Sequence, residues 1–124
     1  MEEDINLITE KIIGCTINIH KIPGPGLLES IYESAMCIEL RETVLKFESQ
    51  KPIKVVYKGQ DIGKFKIDLV VENRIVVELK STERMDPVYS AQILSYMKLG
   101  NYKYGLLINF NNSLLKSGIK RFAL

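Results

Sequence analysis

No apolar run in this 124-residue chain approaches the roughly 20 residues that a membrane-spanning helix requires. The opening Met1-Glu2-Glu3-Asp4 is acidic where a secretory signal would be basic, so a cytoplasmic protein with no membrane partner is expected. Cysteine is scarce. Cys15 and Cys37 stand alone on helix-like stretches, without metal-ligand spacing, and read as small buried hydrophobes in a reducing compartment. Histidine is scarcer still: His20 is the single one, at the end of a helical pattern, where a helix-end charge or a packed ring is the simpler reading than a ligand or base. A net charge of +2 is too small to argue nucleic-acid binding by itself. No repeat, low-complexity tract or linker divides the chain. One domain is expected, with 1–22 as an N-terminal helix, 26–110 as the core and 111–124 as a tail, enough for a modest hydrophobic core.

Hydrophobic residues make up 46% and charged residues 26%, an ordinary globular balance. Ile5, Ile8, Ile12, Cys15 and Ile19 recur at helical spacing over 4–20 and predict a largely buried amphipathic helix. Ile22-Pro23-Gly24-Pro25-Gly26 breaks it and launches a second helix near Leu27–Thr43. Glu29 falls in that helix's first turn, where it suits the free amides and the dipole, and Tyr32 lies one turn on, a packing position. Val44–Phe47 could begin a strand. Ile53–Tyr57 is a clearer one, followed by a turn at Lys58–Asp61. Ser81–Met85 reads as a loop, and Asp86-Pro87 starts a third helix with Asp as N-cap and Pro at the first position. It runs to about Leu99, stops at Gly100-Asn101, and carries Gln92 and Tyr96 four apart on one face. Tyr104–Phe110 is a short apolar strand suited to a central position, and Ile119 and Phe122 could add an edge strand. The order α-α-β-β-β-α-β predicts an α/β (α+β) fold, helices packed on a small mixed sheet, the third helix crossing over to return a strand beside an earlier one.

Between Lys64 and Lys80 two apolar strands carry three charges that a core hairpin does not need: Asp68, Glu78 and Lys80. Strand alternation puts residues of one parity on one face. A three-residue loop at Glu72-Asn73-Arg74, with Asn73 left-handed, sets Val71 opposite Ile75 and Asp68 opposite Glu78, with Lys80 on the same face. A two-residue loop would set Asp68 against Leu79 and split the charges between faces. Facing carboxylates repel unless a cation lies between them. Magnesium takes hard oxygen ligands and commonly only one or two protein carboxylates, acidifies its water and offsets phosphodiester charge, while Lys80 could orient water or neutralise developing charge. The plainer alternative is a structural salt bridge from Lys80 to either carboxylate.

Asp68 followed by Glu78-Leu79-Lys80 resembles the Asp…Glu-X-Lys signature of the PD-(D/E)XK nuclease superfamily. Gly26-Leu27-Leu28-Glu29-Ser30-Ile31-Tyr32 is similar to the GxxExxY signature of a family of small bacterial proteins within it, and Gln92-Ile93-Leu94-Ser95-Tyr96 to the QxxxY motif of its RecB-like members. The likeness runs from His20 to Lys120-Arg121. It implies a restriction-endonuclease-like core and a metal-dependent nuclease. Asp68 and Glu78 would hold Mg²⁺ or Mn²⁺, the Leu79 carbonyl would be a further ligand, and Glu29 would support the metal through water. Lys80 would be the catalytic lysine, and Gln92 and Tyr96 would position it or the substrate. The Pro of the superfamily's name is absent, Ile67 preceding Asp68.

The expected partner is nucleic acid, DNA first. Lys64 and Lys66 share the parity of Asp68, and Lys54, Lys58, Lys116, Lys120 and Arg121 could add phosphate contacts. No base-reading helix and no interleaving of aromatic and basic residues beyond scattered tyrosines is evident. A homodimer could set two sites on two strands. Two other readings stay open: a non-catalytic interaction module that keeps the nuclease fold, and a structural protein whose polar cluster only fixes strand register.

Overall fold

The computed structural model describes residues 2–124. The apolar stripe makes α1 (Glu2–Lys21), with Ile5, Ile12, Cys15 and Ile19 buried. Thr16, in the same stripe, is buried too, its hydroxyl donating back to the Ile12 carbonyl at 2.9 Å, which spares the core an unpaired polar group. The His20 ring nitrogen Nε2 lies 2.7 Å from the Asn112 carbonyl oxygen. It therefore carries a proton and ties the end of α1 to the turn after a central strand, as a packed histidine does.

The second helix, α2 (Glu29–Arg41), is shorter at both ends than Leu27–Thr43. The Leu27 amide is already taken by the Tyr32 hydroxyl at 3.1 Å, leaving Leu28 extended as the first flanking residue. At the other end the Thr43 hydroxyl and amide both bond the Leu40 carbonyl, closing the last turn.

The strands are β1 (Phe47–Tyr57), β2 (Gln60–Val71), β3 (Ile75–Lys80), β4 (Tyr104–Asn109) and β5 (Ile119–Ala123), with α3 (Pro87–Gly100) between β3 and β4 and a 3₁₀ turn, Leu115–Gly118, before β5. One sheet holds them in the order β1-β2-β3-β4-β5. Among the described residues the β3–β4 pair alone is parallel, as a helical crossover requires. This is the expected α+β arrangement, consistent with a restriction-endonuclease-like core, and the edge strand at Ile119–Phe122 is present. Val44–Phe47 is not a separate strand. β1 runs unbroken through Pro52, because β1 is a sheet edge and a proline there deprives no neighbour of a ladder bond. Gln50, at φ +51°, supplies the local kink.

Apolar residues fill both faces of the sheet. Leu69, Val71, Val77 and Leu79 pack with α1 and α2 on one side. Ile67, Val70, Val76 and Leu107 pack with Ile93 and Met97 of α3 on the other. Gly105 lets α3 approach: a Cβ there would meet the Met97 sulfur at 2.7 Å. α3 starts with the Asp86 carboxylate accepting from the Val88 amide at 2.9 Å and Pro at the first helical position, and ends at Asn101 in the left-handed region.

The β2–β3 hairpin has the three-residue loop. Val71 pairs with Ile75, Val70 with Val76 and Leu69 with Val77. Glu72 as well as Asn73 is left-handed, at φ +54° and +53°, and the Arg74 amide closes the turn on the Val71 carbonyl at 3.0 Å. A glutamate in that region costs about 1 kcal/mol. Two bonds to Lys46, just before β1, hold it there: the Glu72 amide donates to the Lys46 carbonyl at 2.8 Å, and the Glu72 carboxylate accepts from the Lys46 amide at 2.6 Å.

Candidate active site

β2 and β3 part just beyond the Leu69–Val77 pair. Asp68, Glu78 and Lys80 therefore sit at a fork where the strands no longer satisfy one another. The Leu79 amide, freed from the ladder, donates to Asp68 Oδ2 at 2.9 Å. Asp68 is thus fixed by backbone, with its carboxylate turned toward Glu78. Glu78 is 7% exposed, and its Oε1 is buried with no hydrogen-bond donor. Burial first, then the neighbouring Asp68 carboxylate, push its carboxyl up to about 9, against a partial offset from the Lys80 charge.

Lys80 does not form the structural salt bridge. Among the described residues the ion pairs are Lys51–Glu48 and Lys54–Asp61. The Lys80 ammonium instead lies 4.5 Å from the centre of the Tyr89 ring, within cation–π range. The positive charge is held beside the two carboxylates without being consumed by either.

All six side chains picked out in the sequence line one pocket of about 170 Å³: Glu29 from the start of α2, Asp68 from β2, Glu78 and Lys80 from β3, Gln92 and Tyr96 from α3. Glu29 and Gln92 are exposed at its rim, and Asp68, Lys80 and Tyr96 are half-buried. Glu29 makes no side-chain cap, since the residue before it caps without one. Its place is set by Tyr32, which is fully buried, stacked on Phe110 with ring centres 4.2 Å apart, and bonded through its hydroxyl to the Gly24 carbonyl and the Leu27 amide. Tyr32 thus clamps the Pro-Gly loop that delivers Glu29. Tyr96 stacks on Phe65 at 4.2 Å. Burial, then Glu78 and Asp68, raise its hydroxyl above the usual tyrosine range, so it stays a proton donor.

Lys66 and Tyr89 line the same pocket. Lys66 was legible as a neighbour of Asp68 by parity. Tyr89 was not singled out, although 89, 92 and 96 follow helical spacing, which places Tyr89 on the face of Gln92 and Tyr96. Behind Asp68 stand two residues that sequence gave no reason to join: the Gln50 amide donates to Glu33 Oε1 and reaches Asp68 Oδ1 at 3.4 Å. Burial, and to a smaller extent Asp68, raise the Glu33 carboxyl, against the Gln50 bond. Beyond Lys80, buried Asn109 holds the following loop by bonding both the amide and the carbonyl of Thr82.

The donor set suits a small hard cation. Among the described residues no cluster of three or more histidine, cysteine, aspartate or glutamate side chains forms a cage. Magnesium, which keeps several of its waters, needs only one or two carboxylates. An unpartnered buried carboxylate oxygen beside a second carboxylate is the arrangement such an ion would satisfy. Also among the described residues, no helix is long and apolar enough to cross a membrane.

Comparison with curated proteins and with solved structures found no match. The family model of the PD-(D/E)XK nuclease superfamily matches residues 6–122, a span that contains every pocket residue named above. The chain belongs to the PD-(D/E)XK nuclease superfamily.

Proposed function

We propose that the protein is a divalent-cation-dependent nuclease, hydrolysing phosphodiester bonds of nucleic acid, DNA first, as a single cytoplasmic domain. The observation that carries this reading is the buried, donorless Oε1 of Glu78 beside Asp68. Asp68 and Glu78 would hold the ion, Mg²⁺ or Mn²⁺, with the Leu79 carbonyl as a further ligand and Glu29 acting through water from the rim. When bound, the ion supplies acidification of water and an offset to phosphate charge. In the reaction a water oxygen adds to phosphorus, the ester P–O bond breaks, and the departing oxygen ends with a proton.

The remaining work falls to the chain. Lys80, unpaired with either carboxylate and seated over Tyr89, brings a positive charge to the phosphate as negative charge builds there. Gln92 and the protonated Tyr96 offer hydrogen bonds that orient Lys80 or the scissile group. Asp68 and Glu78 cannot both ionise cheaply without a counter-charge at this burial, so the site is poised to exchange a proton for a cation. Within the superfamily we assign the chain to the GxxExxY group. Tyr32 clamping the loop that carries Gly26 and Glu29 supplies a physical reason for that spacing.

The direct test incubates purified protein with single- and double-stranded DNA and RNA in Mg²⁺ or Mn²⁺. Cleavage that needs the metal and disappears in Asp68→Ala and Lys80→Ala supports the reading. No cleavage of any substrate, or cleavage that survives both substitutions, overturns it, and Mn²⁺ binding without cleavage would favour a non-catalytic module.

A further inference from the structure

The β1–β2 hairpin continues well past the fork. Among the described residues no third strand pairs with it beyond Asp68 on the β3 side, yet β2 extends eight more residues to Gln60. That is a reach of roughly 26 Å at about 3.3 Å per residue. Residues 51–67 contain five lysines and one aspartate. This arm is therefore +4 within a chain of net +2, and everything outside it sums to −2.

The two parities of the arm have different surroundings. Ile53, Phe65 and Ile67 pack toward α3. The alternate residues pair as Pro52 with Lys66 and Lys54 with Lys64, and they are exposed. Lys54 and Lys64 face each other directly, a like-charge pair that destabilises a sheet unless an anion lies over it. Asp61, 3.6 Å from Lys54, offsets one of the two. Lys66 lines the pocket itself, so the lysine row starts at the site and leads away from it. At its far end a tight turn carries Lys58 and Gly59 at φ +49° and +78°, flanked by Val56, Tyr57 and Ile62, which are 54%, 60% and 63% exposed. The Lys58 ammonium sits 5.5 Å from the Tyr57 ring centre. The tip thus sets one exposed aromatic ring beside lysine charge.

We infer that the β1–β2 arm is a single-stranded nucleic-acid track leading into the pocket, with Lys54, Lys58, Lys64 and Lys66 along the phosphates and Tyr57 stacking an unpaired base at the tip. The inference rests on the nuclease reading for the direction of the track. A lysine row answers a polyanion, and an exposed ring beside lysines answers bases that are free to stack.

The test is fluorescence anisotropy with a labelled 20-nucleotide oligo-dT and a 20-base-pair duplex, in EDTA, across a salt series. Binding is thereby read without cleavage, and the catalytic reading is judged separately by the metal-dependent assay. The variants are Lys54→Gln/Lys58→Gln/Lys64→Gln, a charge-matched control Lys11→Gln/Lys21→Gln/Lys98→Gln at exposed helix positions, and Tyr57→Ala. The arm triple variant is expected to lose at least about 10-fold in oligo-dT affinity and about two from the slope of log K against log salt, three phosphates at roughly 0.7 each. Tyr57→Ala is expected to lose about 5-fold or more on oligo-dT with the slope unchanged, and little on the duplex. Arm and control variants that bind alike, unchanged oligo-dT affinity in Tyr57→Ala, or no oligo-dT binding by the wild type would each overturn the inference. Cleavage in metal with arm and control variants alike would overturn it alone and leave the nuclease standing.

Discussion

The amide of Leu79 donates to the carboxylate of Asp68 across 2.9 Å, at the point where β2 and β3 separate. A side chain from one strand thus replaces the backbone acceptor that the other strand has lost. The same bond turns Asp68 toward Glu78, so the end of the ladder and the start of the site are one feature.

That bond separates two roles of Asp68. Asp68→Asn keeps an oxygen for the Leu79 amide and removes the charge. Stability in EDTA should change by no more than about 1 kcal/mol, while metal-dependent cleavage falls at least about 100-fold. Chemical denaturation and the cleavage assay, run side by side, check both.

Glu78 makes the metal-free protein sensitive to pH in a defined direction. Its carboxyl is raised from 4.5 to about 9 by burial and by Asp68, so the folded state holds a proton that the unfolded chain releases. The stability it contributes is full below about 4.5 and is lost progressively as pH rises to about 9, because stability falls wherever the native state binds more protons. In EDTA the thermal midpoint of the wild type should fall between those limits relative to Glu78→Gln, which lacks the titration. A difference that grows with pH in the wild type's favour would contradict the assignment.

On the nuclease reading the Tyr89 ring, 4.5 Å from the Lys80 ammonium, positions Lys80. Tyr89→Leu should lower kcat by roughly 2- to 30-fold, the range of a cation–π contact worth about 0.5–2 kcal/mol, with Tyr89→Phe close to wild type. A readout independent of turnover is the ring-current shift of the Lys80 ε-methylene in ¹³C NMR spectra. It should be present in wild type and Tyr89→Phe and absent in Tyr89→Leu.

Tyr32 acts from the core. Tyr32→Phe keeps the stack on Phe110 and removes the bonds to Gly24 and Leu27. It should cost about 1–3 kcal/mol, read by urea denaturation, and lower cleavage by less than Glu29→Ala does, since the loop is loosened while the carboxylate remains.

The sequence shows why some of this was readable and some was not. Period-2 geometry allowed two hairpin registers, and the functional reading selected the three-residue loop, because a single slip would have sent Asp68 and Lys80 to opposite faces. Asp86-Pro87 marked a helix start through local chemistry alone. That the strand from Phe47 runs on through Pro52 to Tyr57 was not readable, since a proline is tolerated there because the strand is an edge, and edge status belongs to the assembled sheet. Gln50 and Glu33 meet behind Asp68 only because α2 and β1 are brought together in the fold. Lys80 had two carboxylates in view and a tyrosine nine residues away; its choice of the ring depends on how α3 lies across the sheet.

The central claim is that Asp68 and Glu78 share a divalent cation. A crystal structure of the protein grown with Mn²⁺, with anomalous scattering recorded, tests it most directly. The account predicts an anomalous peak between the two carboxylates, with Glu78 Oε1 among the ligands, and none in Glu78→Gln. Density without a peak there, or a peak unaffected by that substitution, would contradict it.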